Sequence, residues 1–177
     1  MSQVRVSGNA SGTGIFTVAA PNSNTNRTLT LPDNTGTLIS SATAGTVLQV
    51  VNNTSTTQVN TTSTSFVTTG FSTSITPSST SNKILVLFTV NGYITSSAYD
   101  IFTIYRGGTN IGGATYGFGN LYGNTGDRFG QVSASYLDSP ASTSSVTYTV
   151  YFRVTASTGW FNLNQETSTM TLMEIAQ

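Results

Sequence analysis

Apolar residues recur in this chain at every second position and nowhere at helical spacing, and that regularity confines it to β-structure. The clearest run is Val146, Tyr148, Val150, Phe152 and Val154, alternating with Thr147, Thr149, Tyr151, Arg153 and Thr155. On a strand such alternation sends one set to a core and the other to water or a neighbour. Val132, Ala134 and Tyr136 alternate likewise with Ser133 and Ser135, and Met170 and Leu172 with Thr169 and Thr171. The stretch from Lys83 to Val90 does not alternate, which predicts a central strand covered on both faces. Composition agrees. Nine Phe, eight Tyr and one Trp, with abundant Val, Ile and Thr, suit a pleated surface and separate the chain from disordered sequences.

Turn signals punctuate the strands: Thr76-Pro77-Ser78, Asn91-Gly92, Gly107-Gly108, Asp138-Ser139-Pro140 and Ser157-Thr158-Gly159. The strands predicted between them run over residues 46–51, 65–75, 83–94, 99–106, 109–115, 128–137, 145–155 and 168–175, with shorter ones near 56–60 and 160–163. Eight principal antiparallel strands at this spacing predict an all-β sandwich of jelly-roll type over residues 46–177. If the chain enters at one end, alternate connections (52–64, 94–99, 116–128 and 156–167) gather at the other.

Residues 1–45 differ in character. They hold weak strand candidates only, at 14–20, 27–31 and 36–40, separated by Pro21-Asn22 and Pro32-Asp33-Asn34. Such short segments bury no core alone, so an extended β arm is expected, winding with copies of itself or lying on another protein.

Several functions are excluded by what is missing. The chain has no Cys and no His, which removes cysteine nucleophiles, Ser-His-Asp triads, thiolate or imidazole metal sites and disulfides. Six basic and six acidic residues give a net charge of zero, so neither nucleic acid nor an anionic membrane is an expected partner. The longest apolar run, Ile84-Leu85-Val86-Leu87-Phe88, is five residues, and no membrane insertion is expected. Met1-Ser2-Gln3-Val4-Arg5 leads into Ser, Gly and Asn rather than an apolar segment, so synthesis in a cytoplasm is expected.

Specific motifs carry a resemblance. Gly14-Ile15-Phe16-Thr17-Val18-Ala19-Ala20-Pro21 followed by Thr28-Leu29-Thr30-Leu31-Pro32-Asp33-Asn34-Thr35-Gly36-Thr37-Leu38 is similar to the short β element ahead of the C-terminal head in bacteriophage tail-fibre proteins. The remainder resembles the trimeric fibre heads with a tumour-necrosis-factor-like jelly roll, through Ser81-Asn82-Lys83-Ile84-Leu85-Val86, Tyr105-Arg106-Gly107-Gly108-Thr109, Tyr136-Leu137-Asp138-Ser139-Pro140, Tyr148-Thr149-Val150 and Leu172-Met173-Glu174-Ile175. The resemblance implies a homotrimer on a virion, docked to other virion proteins through the arm and adhering to a host-surface glycan or protein through the head. A capsid decoration or head-fibre protein of similar architecture is the alternative. Trimerisation has its own sequence argument, because Ile101, Phe102, Ile104 and Tyr105 place apolar groups on both faces of one strand, and Tyr151 interrupts a polar face. The extra set is either buried between subunits or exposed to water.

The receptor-binding candidates are Tyr116, Phe118, Tyr122, Asp127, Arg128 and Trp160. The first five lie in residues 107–130, where nine of 24 positions are Gly. Tyr among Gly and Asn makes adaptable contact loops, since the ring is a rigid apolar plate with a polar tip, and a sugar presents a C–H face and hydroxyls to match. A passive surface loop or a trimer contact would use the same residues, and Trp160 can equally be a core or interface anchor. Gly117-Phe118-Gly119-Asn120-Leu121-Tyr122 lacks the third Gly and the helix of a dinucleotide site. Among the acids, Asp100, Asp127 and Glu166 could meet at the distal end, where hydrolysis would need two of them as acid and base, but three solvated loop charges are the simpler account, and neither enzymatic activity nor a cofactor is expected. Asp127 with Asn124 lacks the acidic density of a calcium loop, so no metal site is expected.

Overall fold

A computed structural model describes residues 11–15, 17, 22, 24–26, 43–95 and 97–177. The chain divides into two compact units, Met1–Thr37 and Leu38–Gln177. In the first, Gly14, Ile15 and Thr17 are described and belong to no regular element; the other arm strands, 27–31 and 36–40, lie outside the described residues.

The second unit is all-β, with eleven strands among the described residues in two antiparallel sheets around one core. They are β1 (Val47–Ser55), β2 (Val59–Thr61), β3 (Val67–Ile75), β4 (Lys83–Ile94), β5 (Ala98–Arg106), β6 (Thr109–Asn110), β7 (Gly119–Gly123), β8 (Arg128–Asp138), β9 (Val146–Val154), β10 (Gly159–Phe161) and β11 (Ser168–Ile175). The first sheet is ordered β1-β11-β4-β8, with β2 and β10 extending β1 and β11 at one end. The second is ordered β3-β9-β5, with β6 and β7 sharing the free edge of β5. Pairings nest: β5 with β7, β4 with β8, β3 with β9, β1 with β11, as if one long hairpin were folded over so that successive pairs fall in alternate sheets.

The alternating run of β9 performs as its pattern dictates, with Tyr148, Val150, Phe152 and Val154 buried in one core cluster with Phe102, Ile104, Val86 and Val90. The central strand is β4, flanked by β11 and β8. Ile84, Val86, Phe88 and Val90 enter the core, while Leu85 and Leu87 are half-buried on the outer face.

Polar ties fix both ends. At the end where the chain enters β1, buried Glu174 accepts from Gln49 Nε2 (2.6 Å), the Ser78 amide (2.6 Å) and hydroxyl (2.8 Å) and Asn82 Nδ2 (2.6 Å). Nearby, Asp138 receives Arg106 Nη1 at 2.7 Å and the Tyr148 hydroxyl at 2.7 Å, linking the sheets. Towards the other end, buried Asn162 bridges the break between β10 and β11, donating to Ser55 O (2.8 Å) and accepting from Ser168 Oγ (2.5 Å).

Two strand expectations change. The strand placed at 109–115 is only Thr109–Asn110, and Gly119–Gly123, read as part of a Gly-rich loop, is a strand. The reason is proximity: a Cβ on Gly119 would come 2.7 Å from Val132 Cγ1, so glycine here lets β7 close on β8 of the opposite sheet.

Candidate functional site

The outer face of the β3-β9-β5 sheet carries two groups of aromatic rings. Tyr99 on β5 and Tyr122 on β7 are direct cross-strand partners. Their rings stack with centroids 4.4 Å apart and 26° between planes, and Tyr116 meets Tyr99 edge-on at 5.8 Å. Tyr116 and Tyr122 are 52% and 42% exposed. Tyr116 is held out by a small turn in which Gly113 and Gly117 exchange N–H···O bonds of 3.2 and 2.9 Å, and Gly117 adopts φ 57°, the left-handed region suited to glycine.

Farther along β5, Tyr105 stacks on Tyr151 of β9 at 3.9 Å and 23°, with Phe66 edge-on at 6.3 Å. Arg153 lies 5.3 Å over the Phe66 ring. Its guanidinium donates to Thr64 O (3.2 Å) and to Thr115 O (2.5 Å), so it bridges the approach to β3 and the turn that carries Tyr116.

The six candidates therefore separate. Tyr116 and Tyr122 come together, around a Tyr99 that was not singled out. Asp127 and Arg128 line, with Tyr122, a hollow of about 290 Å³ at the β7–β8 turn. Asp127 accepts from the Tyr93 hydroxyl at 2.5 Å, a bond that raises the phenol above its ordinary value. Phe118 turns inward, edge-on to Phe88 (5.6 Å) and Tyr136 (5.5 Å), where it closes the sandwich edge. Trp160 sits in β10, where a short strand near 160–163 is expected from the sequence, paired with Tyr93 and Asn60 on the other sheet. Of the connections expected at the distal end (52–64, 94–99, 116–128 and 156–167), the ends of the last three meet there, since Ile94 pairs with both Arg128 and Gly159 and Ala98 with Gly123. The 111–118 segment instead flanks β5 along its length.

Tyr99, Tyr105, Tyr151 and Arg153 had a legible signal. The two β5 tyrosines share one parity, and Tyr151 and Arg153 share the outward parity of β9.

The second apolar face of β5 needs no partner copy. Ile101 and Thr103 are fully buried within the chain: Thr103 Oγ1 donates to Asn110 Oδ1 at 2.7 Å beside Gly112, and Arg153, opposite Ile101, reaches over to Thr115. Unmet apolar surface lies on the outer face of the first sheet instead. Val50, Met173, Leu85 and Leu137 are in register across its four strands, with Val50 and Leu137 56% and 48% exposed.

The acids do not form an array. Asp100 is fully buried, neither of its oxygens has a hydrogen-bond partner, and a Cβ on Gly159 would lie 3.0 Å from Oδ1. Burial pushes its carboxyl well above the usual range. Asp127 is engaged by Tyr93, and Glu166 is exposed beside the turn at Leu163–Gln165. What the aromatic face offers is flat rings with hydroxyl tips beside a fixed cation, a chemistry of contact. No protein-family model matches this sequence, and comparison with curated proteins finds no match either.

Proposed function

We propose that the chain is a bacteriophage virion structural protein of the tail-fibre kind, a homotrimer whose head adheres to a glycan on the host surface and performs no catalysis. The observation that carries adhesion is the cluster of Tyr99, Tyr116 and Tyr122, two of its three rings presented to solvent from rigid strands and a glycine-closed turn. Aromatic plates with polar tips suit sugar rings, and weak contacts multiply when several heads bind one surface. The nested pairing of strands supports reading the sandwich as a jelly roll of the fibre-head type. The row Val50, Met173, Leu85 and Leu137 supports assembly, since covering it with another copy removes apolar surface from water at about 25 cal/mol per Å². Closed cyclic symmetry then presents three heads in one direction.

Binding of the fluorescently tagged protein to intact host cells tests this reading. Replacing Tyr116 and Tyr122 together by Ala is expected to abolish binding while leaving the sedimentation coefficient unchanged. Undiminished binding by the double variant, or a monomeric wild type at micromolar concentration, counts against it.

A further inference from the structure

Arg153 is the one charged side chain on the outer face of the β3-β9-β5 sheet among the described residues, and it forms no ion pair there; the ion pair the described residues contain is Arg106–Asp138. A surface cation usually keeps its freedom, yet this one is fixed by two carbonyls and a ring face. Two of the five N–H groups of a guanidinium are used in this way, and the others remain on a planar fork that matches a carboxylate. The two aromatic groups flank it. Tyr99 and Tyr105 are six positions apart on β5, roughly 20 Å at strand rise, and Ile101, opposite Arg153, lies between them.

From this arrangement we infer that the face binds a linear polysaccharide whose repeat carries a carboxylate, the sugar rings resting on the Tyr99–Tyr116–Tyr122 and Phe66–Tyr105–Tyr151 groups and the carboxylate meeting Arg153. The inference rests on the adhesion reading and narrows it: a strip longer than one sugar, with a cation positioned between its two aromatic groups and no acid on the outer face of its strands among the described residues, favours an acidic chain over a neutral terminal sugar; Asp127, beside Tyr122 at the β7–β8 turn, is engaged by Tyr93 and lies next to Arg128. Electrostatic complementarity of this kind sets selectivity more than total affinity.

The test presents the full-length protein with immobilised bacterial polysaccharides, acidic and neutral, and follows with the best acidic ligand after its carboxylates are reduced to alcohols. Retention of carboxylate-bearing chains is expected, with about tenfold weaker binding after reduction, the loss that one charge-assisted contact typically brings. Arg153→Gln should weaken binding of the untreated ligand to a similar degree, and Arg153→Lys by less. Carboxyl reduction needs no variant, so the result does not depend on the substituted protein folding. Retention of neutral chains only, or a loss under about threefold on reduction, overturns this inference and leaves adhesion standing. No retention of any polysaccharide overturns both.

Discussion

Glu174 offers the sharpest test of the packing described above, because one carboxylate holds together β11, the β3–β4 turn and β1. Burial alone would raise its pKa, but the bonds from Asn82, Gln49 and Ser78 outweigh that and hold it down to about 2, against an ordinary 4.5. Gln49 is itself tethered, donating to Thr76 O at 2.7 Å. Since each pH unit of difference is worth about 1.4 kcal/mol, the ionised carboxylate contributes roughly 3 kcal/mol to folding. The sign follows from the lowered value: this stability is complete above pH 4.5 and is lost as the pH falls towards 2. Glu174→Gln removes the charge and sets an amide against the Gln49 donor. The variant should lose about 3 kcal/mol in urea unfolding at pH 7, followed by Trp160 fluorescence, and the gap to wild type should close between pH 4.5 and 2.5. A gap that stays constant over that interval, or one under about 1 kcal/mol at neutral pH, refutes the assignment of the network as charge-assisted.

Two further outcomes follow from burial and close approach. Asp100→Asn should stabilise the protein at pH 8 and matter less at pH 4, because the raised pKa of the buried acid means that stability falls as the pH rises above 3.8; melting temperatures across that range check it. Gly119→Ala should cost about 1–3 kcal/mol through collision with Val132, and Val132→Ala in the same chain should recover part of the loss in chemical unfolding.

The sandwich was legible because several strands advertise themselves: β9 alternates along its whole length on the core-facing side, β11 alternates from Thr169 to Leu172, and β4 opens on an apolar run after a turn signal. What escaped was set by long-range contact. Glycine density marks loops in general, yet in 119–123 it marks a strand pressed against the opposite sheet, and only the position of Val132 reveals which. A short strand around Trp160 was legible, but its pairing with Asn60 and Tyr93 was not. Ile101 looked like surplus apolar surface until the 111–118 segment folded beside its strand. The site was half visible for the same reason: Tyr116 and Tyr122 stood out in a Gly-rich stretch, whereas Arg153 looked like one exposed charge in an alternating strand, and its two carbonyl partners lie 89 and 38 residues away in sequence.

The position of β11 between β1 and β4 bears on how the head is made. Val47, at the start of the sandwich, pairs with Ile175, at its close. The first sheet therefore has a gap at its centre until the last strand has left the ribosome, and β1 must wait unpaired while everything between is synthesised. Folding dominated by such distant pairings is slow, and the open strand edges are exposed to association meanwhile.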